Sequence, residues 1–216
     1  MLVVVAAALG YAAAASLFVA PPVAFAPSRP FGDVRREECA DAQFLDEVRR
    51  QREVLFVPLA QIPPYLQRSV LAQEDRLFYV HAGINWELVW RALQRDIAMG
   101  EIRYGASTLT MQLARELFLD KQRQVLRKVR EMAYALQLER RLDKPQILEL
   151  YLNLVDWGPG LRGVGAASCY YFGIPPAELN PEQAGRLVAL LPSPERLGEH
   201  LREELRSGPT PALAGS

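Results

Sequence analysis

Ten residues, Glu74-Asp75-Arg76-Leu77-Phe78-Tyr79-Val80-His81-Ala82-Gly83, carry most of the information about the architecture of this chain. They place two adjacent carboxylates, Glu74 and Asp75, and the histidine His81 among aromatic residues at the end of an apolar run. A charge beside apolar surface costs free energy unless it finds a partner or is neutralised. An isolated Glu-Asp pair is usually a solvated helix end, but a pair in this setting is a candidate for proton transfer.

Three more segments follow this stretch in order. The first runs from Gly105 to Gln112 (Gly-Ala-Ser-Thr-Leu-Thr-Met-Gln), the second is Arg127-Lys128-Val129-Arg130-Glu131, and the third runs from Lys144 to Asn153 (Lys-Pro-Gln-Ile-Leu-Glu-Leu-Tyr-Leu-Asn). Together the four segments resemble the motif series of the peptidoglycan glycosyltransferases, glycosyltransferase family 51. The resemblance covers most of the chain, from Val54 to Leu197. One motif alone would carry little weight, but four in order at close spacing are specific.

The pattern around these segments is mainly helical. A capping residue opens two runs with helical apolar spacing, Asn85 to Gly100 and Asn180 to Leu191, and a third run extends from Arg123 to Leu142. No convincing alternating strand is present. The sequence therefore predicts an all-α fold with one domain. The resemblance implies a lysozyme-like helical lobe and a smaller, flexible lobe that faces the membrane.

The first twenty residues have the composition of a membrane-spanning helix. Residues 1–20 carry no charge, and about 20 helical residues reach roughly 30 Å, the thickness of a bilayer core. A single transmembrane anchor is predicted there, with a signal peptide cleaved after Ala24-Phe25-Ala26 as the alternative. The basic residues Arg29, Arg35 and Arg36 follow the run. The positive-inside rule would keep them in the cytoplasm, opposite to the orientation that the resemblance implies.

The rest of the chain divides by composition. Residues 21–50 are predicted to be a linker that leads into the domain, and residues 51–200 to be the glycosyltransferase domain. Residues 201–216 are predicted to be a disordered tail, because they end in glycine, proline and small residues.

Overall composition excludes several classes of protein. The 25 basic and 25 acidic residues cancel, which makes nucleic-acid binding a poor interpretation. Cys39 and Cys169 are too few for a disulfide framework and have no metal-ligand spacing. Each is most simply a free thiol, with a single bridge between them as the alternative. No Ser-x-x-Lys occurs, which excludes a penicillin-sensitive transpeptidase and points to a monofunctional transglycosylase.

The resemblance implies a reaction that polymerises lipid II into glycan strands. An acceptor 4-hydroxyl attacks the anomeric carbon of a donor, inverts that centre and releases polyprenyl diphosphate. A base must accept the hydroxyl proton, and cations must stabilise the leaving group. Glu74 matches the catalytic base of the family and Glu131 its second essential glutamate. No cofactor is required. A divalent cation such as Mg²⁺ would assist departure of the pyrophosphate, but the sequence shows no ligand cluster for one.

Basic and hydroxyl side chains match the donor site of the family. Arg127 and Lys128 precede Glu131 by four and three residues, so a helix would place them on one face. The alternative is a surface salt-bridge ladder of little energetic value. Met111 stands where the family usually has Gln, as in one branch of the bifunctional penicillin-binding proteins. The substrate-binding residues that the resemblance implies are Asp75, Ser107, Thr108, Gln112, Arg115, Arg123, Arg127 and Lys128.

A further set of residues is assigned to the shape of the cleft. A histidine in the setting of His81 is more often a hydrogen-bonded structural residue than a proton carrier. Asn85 stands where the family usually has Asp, and both residue types cap helices. The cleft residues are Phe78, His81, Gly83, Glu149, Tyr151 and Asn153.

Two other functions stay open at this point. A lysozyme-like enzyme that cleaves peptidoglycan would use a glutamate in a helical lobe, but it would also need a second carboxylate and no phosphate cradle. An inactive scaffold would bind lipid II without turnover. The predicted partners are lipid II, the nascent strand, the membrane and cell-wall synthesis proteins. The predicted location is the bacterial inner membrane, single-pass, with the catalytic domain on its outer face.

Overall fold

The computed structural model describes residues 29–99, 105–118 and 125–207, and these residues are mostly helical. Their α-helices are α1 Arg36–Cys39, α2 Ala42–Gln51, α3 Pro64–Glu74, α4 Trp86–Met99, α5 Leu109–Phe118, α6 Val125–Arg141, α7 Lys144–Leu154, α8 Gly163–Phe172, α9 Pro181–Val188 and α10 Pro194–Ser207. The strands are β1 Arg29–Pro30, β2 Leu55–Phe56, β3 Asp156–Gly158 and β4 Leu161–Arg162. The predicted helical character is confirmed, and the short strands are additions to it.

The described chain forms two compact units. The first holds residues 71–151, with the end of α3, α4, α5, α6 and most of α7. The second combines residues 29–70 with residues 152–207. All four strands belong to the second unit, where β1 pairs with β2 in parallel and β3 with β4 antiparallel.

Helices α5 and α6 form the packed centre of the first unit. Leu109, Met111 and Leu113 on α5 have no exposed surface. Thr108 precedes the helix, and its hydroxyl oxygen accepts a hydrogen bond from the Met111 backbone N–H at 3.2 Å, which caps the helix. Met111 is therefore a core residue. The apolar side chain that stands in place of the usual Gln is buried.

Gly83 lets a loop approach α6 closely. Its φ of +84° favours glycine, and a Cβ there would lie 3.1 Å from the Ala135 carbonyl oxygen and 2.9 Å from Glu139 Cγ. The Gly83 carbonyl accepts the Thr108 hydroxyl at 2.6 Å. Two residues later, Asn85 Oδ1 accepts the Leu88 N–H at 3.1 Å and caps α4, as the sequence predicts. The loop after Glu74 is thus fixed where it leads into α4.

Helix α8 is the buried element of the second unit. It packs on α2, β2 and β3. A Cβ at Gly165 would lie 2.3 Å from the Leu55 carbonyl oxygen, so only glycine permits this approach to β2. Asn153 ties α7 to the segment after β2, because its side chain accepts the Val57 N–H at 2.7 Å and donates to the Val57 carbonyl at 2.9 Å.

A disulfide joins Cys39 at the end of α1 to Cys169 in α8. Both cysteines are buried, and the fold brings their Cα atoms to 4.5 Å. The expectation of two free thiols is therefore wrong. The bridge could not be predicted from the sequence, because 130 residues separate the two cysteines and no local pattern indicates that they are close in the fold.

Helix structure extends beyond the predicted domain at both ends. Helix α10 continues to Ser207, so residues 201–207 are helical where the sequence predicted a disordered tail. Leu201 is buried, and α10 packs on β3, which gives this segment a partner that composition does not reveal. In the predicted linker, residues 36–39 form α1, and residues 42–51 form α2, which ends one residue beyond the predicted boundary.

The predicted anchor at residues 1–20 lies outside the described residues. In the described part of the chain, no helix combines the length and the apolar composition needed to cross a bilayer.

Candidate functional site

Glu74 ends α3 and holds its carboxylate against two amides. It is half-buried. Oε2 accepts a hydrogen bond from Gln112 Nε2 at 3.0 Å, and Oε1 accepts one from Gln73 Nε2 at 3.2 Å. An ionised carboxylate only accepts hydrogen bonds, so two amide donors suit the ionised acid. Part of the side chain stays open to solvent, where a hydroxyl could approach it.

Asp75 faces the protein instead of solvent. Its side chain is 1% exposed. Oδ2 accepts the Leu109 backbone N–H at 2.9 Å, and both oxygens lie 3.0 Å from His81 Nε2. Leu109 is the first residue of α5, so the carboxylate meets the positive end of that helix. The adjacent acids Glu74 and Asp75 therefore have different environments.

His81 has a hydrogen-bonded position, as a structural histidine would. Its side chain is 9% exposed, and Nε2 contacts Asp75. Nδ1 is buried and has no hydrogen-bond partner. Because a carboxylate accepts hydrogen bonds, Nε2 is the ring nitrogen that donates to Asp75.

Glu131 lies at the centre of a cationic cluster. It is 2% exposed, and Lys128 Nζ donates to its Oε2 at 3.0 Å. Arg127 Nε lies 3.3 Å from Glu131 Oε1, an ion pair without hydrogen-bond geometry. Lys128 also donates to the Ser107 hydroxyl. Two cations thus share one buried carboxylate, and Arg127, Lys128 and Glu131 together keep a net positive charge.

The electrostatics of Lys128 follow from its burial. Burial lowers the pKa of the Lys128 ammonium, because desolvation disfavours the charged form. Glu131 opposes this by attraction, while the nearby charges of Arg115 and Arg127 lower the pKa further. An added anion would relieve the repulsion among these three cations.

The two predicted hydroxyl residues lie in different settings. Ser107 is half-buried and bonded to Lys128, within the cationic cluster. Thr108 is 2% exposed and has its hydrogen bonds inside the protein, to Gly83 and Met111. The structure brings Ser107 to the cations and places Thr108 as a helix cap.

Arg115 and Arg123 complete the predicted basic set. Arg115 is half-buried on α5, and its Nε lies 3.5 Å from Glu116 Oε1. Arg123 lies outside the described residues.

A second layer beneath the site contains residues that sequence reasoning missed. The Lys144 ammonium lies 4.4 Å from the centre of the buried Phe78 ring and donates to Glu139 Oε1 at 2.7 Å. Thr110 donates to the same oxygen at 2.6 Å. Lys144 belongs to a quoted motif, but nothing in the sequence pattern assigns Glu139 or Thr110 to this network.

The last motif contributes to both units. Tyr151 is fully buried, and its hydroxyl donates to Gln112 Oε1 at 3.3 Å. Glu149 is half-buried on α7. Asn153 belongs to the second unit, and its two hydrogen bonds with Val57 are structural. The polar contact of Tyr151 with Gln112 is a feature that the motif alone does not indicate.

Among the described residues, neither a cluster of metal ligands nor the best-formed cavity identifies this site. Among the described side chains, no group of three or more His, Cys, Asp or Glu lies close enough to hold a metal ion. A cavity of about 620 Å³ lies in the second unit, lined by Arg49, Tyr170 and Arg202 among others, and it contains no residue of the four motif segments. The contacts around Glu74 and Glu131 therefore carry more weight than cavity size.

Known proteins resemble this chain over most of its length. The sequence model of the family described as Transglycosylase matches residues 41–207. Three similar relatives carry the name Biosynthetic peptidoglycan transglycosylase. That of Janthinobacterium sp. (strain Marseille) is 39% identical over 145 residues, 67% of this chain and 63% of the relative. That of Alcanivorax borkumensis is 46% identical over 134 residues, 62% of this chain and 55% of the relative. That of Nitrosospira multiformis is 36% identical over 160 residues, 74% of this chain and 70% of the relative. The chain spans just under two thirds of the first of these relatives.

Proposed function

The chain belongs to the transglycosylase family, and from that premise we propose that it is a peptidoglycan glycosyltransferase that polymerises lipid II into glycan strands. One observation carries the proposal: a carboxylate held by amides and a cationic cluster lie in the same unit. Arg115 lies on the same helix as Gln112, the partner of Glu74, and its charge repels that of Lys128. A base and a phosphate-binding cluster are the two requirements of this reaction.

In the proposed mechanism, Glu74 accepts the proton of the acceptor 4-hydroxyl. The oxygen attacks the anomeric carbon, inverts it, and the bond to the diphosphate breaks. Negative charge then grows on the leaving group, and Lys128, Arg127 and Arg115 stabilise it most strongly at that stage. Glu131 fixes the positions of two of these cations through its buried ion pairs. The proposed reaction requires no cofactor, and a divalent cation such as Mg²⁺ would assist departure of the diphosphate.

Exposed apolar side chains support the proposal that the first unit faces the membrane. Helix α4 has no buried residue. Its Trp86 is 52% exposed, Trp90 48% and Ile97 60%, and Val80 before it is 80% exposed. Tryptophan favours the membrane–water interface, where one end of the side chain stays wet. A lipid-linked substrate would then reach the site from the same surface, and residues 1–20 would anchor the chain there.

The disulfide supports a location outside the cytoplasm. Structural disulfides form and persist in oxidising compartments and are rare in the cytosol. The Cys39–Cys169 bridge is buried, as a structural disulfide would be. The proposed location is therefore the outer face of the inner membrane, with cell-wall synthesis proteins as partners, despite the arginines that follow the predicted anchor.

Incubation of the full chain with purified lipid II, and separately with finished glycan, tests the proposal. The expected result is polymer from lipid II and no shortening of the finished glycan. Cleavage of finished glycan would instead support the lysozyme-like alternative. Binding of lipid II with no polymer would support the scaffold alternative. Either outcome contradicts the proposed activity.

A further inference from the structure

We propose that Tyr151 is a positioning residue, which fixes the orientation of the Gln112 amide and thereby keeps Glu74 ready to accept a proton. The inference rests on the proposed role of Glu74 as the base. The motif pattern alone indicates only that Tyr151 shapes the cleft.

Three side chains from three helices form a continuous hydrogen-bonded chain. The Tyr151 hydroxyl on α7 donates to Gln112 Oε1 on α5 at 3.3 Å. Gln112 Nε2 donates to Glu74 Oε2 at the end of α3 at 3.0 Å. All three residues belong to the first unit. The amide of Gln112 therefore has its oxygen toward the phenol and its nitrogen toward the carboxylate.

This orientation is the one in which all three groups are satisfied. An ionised carboxylate can only accept, so it requires the amide nitrogen. If the amide turned over, its nitrogen would face the phenol oxygen and its oxygen would face Glu74. The Tyr151 hydroxyl proton would then lose its acceptor, because Gln112 is its one hydrogen-bond partner in the described part of the chain. Tyr151 is fully buried, so an unpaired donor there is costly.

The phenol keeps its proton throughout the range in which the enzyme would work. Burial raises the pKa of Tyr151 well above its usual value, and the negative charge of Glu74 raises it further. Asp75 and Glu116 act in the same direction, while Arg115 opposes them. A raised tyrosine pKa means that the hydroxyl stays a donor at neutral pH.

The consequence for Glu74 concerns its protonated form. Protonation of Glu74 removes the negative charge that strengthens its bond from Gln112, and the acid gains the amide oxygen as an acceptor only if the amide turns over. Tyr151 opposes that turn, and so it disfavours the protonated acid and favours the form that can act as a base. Without the phenol hydroxyl, the amide can follow the protonation of Glu74.

Tyr151→Phe removes the hydroxyl and keeps the ring. The acidic limb of the polymerisation rate should move to higher pH by about half a unit, the size expected for one hydrogen bond. The rate should fall several-fold on the acidic side and change little at alkaline pH. Tyr171→Phe is the matched control, because Tyr171 is also buried and donates to the Trp157 carbonyl at 3.3 Å in the second unit. Its profile should not move.

A readout independent of turnover separates this inference from the proposed function. The side-chain amide signals of Gln112 in isotope-labelled full chain should change with pH, and their midpoint should be higher in Tyr151→Phe than in wild type. In a Gln112→Leu background, Tyr151→Phe should shift the rate profile no further. Equal amide midpoints in wild type and Tyr151→Phe would overturn the inference, as would an equal rate shift in Tyr171→Phe. Absence of polymer from wild type would overturn the proposed function alone, because the amide titration would still decide whether Tyr151 positions Gln112.

Discussion

Lys128 shows how a single residue can set the chemistry of the site. Its ammonium is half-buried, bonds Glu131 and Ser107, and feels the repulsion of two arginines. Because burial lowers its pKa, Lys128 loses its positive charge at a lower pH than an exposed lysine does. If this charge stabilises the leaving diphosphate, polymerisation should weaken as the pH rises through that pKa.

Lys128→Arg tests this directly, because arginine stays charged at every accessible pH. The alkaline limb of the polymerisation rate should move to higher pH in this variant, even if the rate at neutral pH is reduced. Arg186→Lys on α9 is the control, since Arg186 pairs with the exposed Glu182 within the second unit. An alkaline limb that stays in place in Lys128→Arg would show that Lys128 does not supply the charge.

At the scale of elements, the start of α5 depends on a side chain from outside the helix. Asp75 accepts hydrogen bonds from the Leu109 N–H and from His81 Nε2, and its side chain has almost no exposed surface. The same first turns of α5 carry Gln112, which bonds Glu74. The carboxylate therefore links the stability of the helix to the geometry of the proposed base.

Asp75→Ala should lower the free energy of unfolding by about 1–3 kcal/mol, because it leaves buried donors unpaired. Amide hydrogen exchange at the start of α5 should accelerate. Asp143→Ala is the matched control, because Asp143 caps α7 through the Gln146 N–H at 2.8 Å and is exposed. It should cost about 1 kcal/mol and leave α5 exchange unchanged. Unaltered exchange at α5 in Asp75→Ala would refute the link.

Local signals in the sequence predicted the helices that begin with a cap. Asn85 and Asn180 each accept a backbone N–H at the start of a helix, as their spacing indicates. The ion pairs of Glu131 with Arg127 and Lys128 follow from helical spacing in the same way. These features depend on neighbours within four residues, which a single sequence displays.

Features that depend on distant contacts were not predictable. The two-residue strands are too short to show an alternating pattern. Helix α10 gains stability from packing on β3, which composition does not encode. The contact of Tyr151 with Gln112 joins residues 39 positions apart, and the disulfide joins residues 130 positions apart. Such pairs become visible only when the chain is folded.

At the scale of the whole molecule, the disulfide closes a long loop in the unfolded chain. Cross-linking residues 130 positions apart reduces the entropy of the unfolded state, with a stabilisation on the order of 4–5 kcal/mol in the chain-entropy estimate. The double variant Cys39→Ala with Cys169→Ala should therefore unfold at a markedly lower temperature. Reductant should lower the melting temperature of wild type and leave the double variant unchanged. A wild type that is insensitive to reductant even after unfolding would contradict a structural disulfide.

The central claim is that Glu74 is the base of a polymerising glycosyltransferase, and Glu74→Gln tests it most directly. Glutamine has the same size and can still accept from Gln112, but it cannot take a proton. The initial rate of lipid II polymerisation should fall by about 10²–10⁴-fold, the usual contribution of a general base. Glu182→Gln, a change at an exposed ion pair, should stay close to the wild-type rate. A Glu74→Gln variant with unchanged melting temperature and more than about a tenth of the wild-type rate would contradict the account.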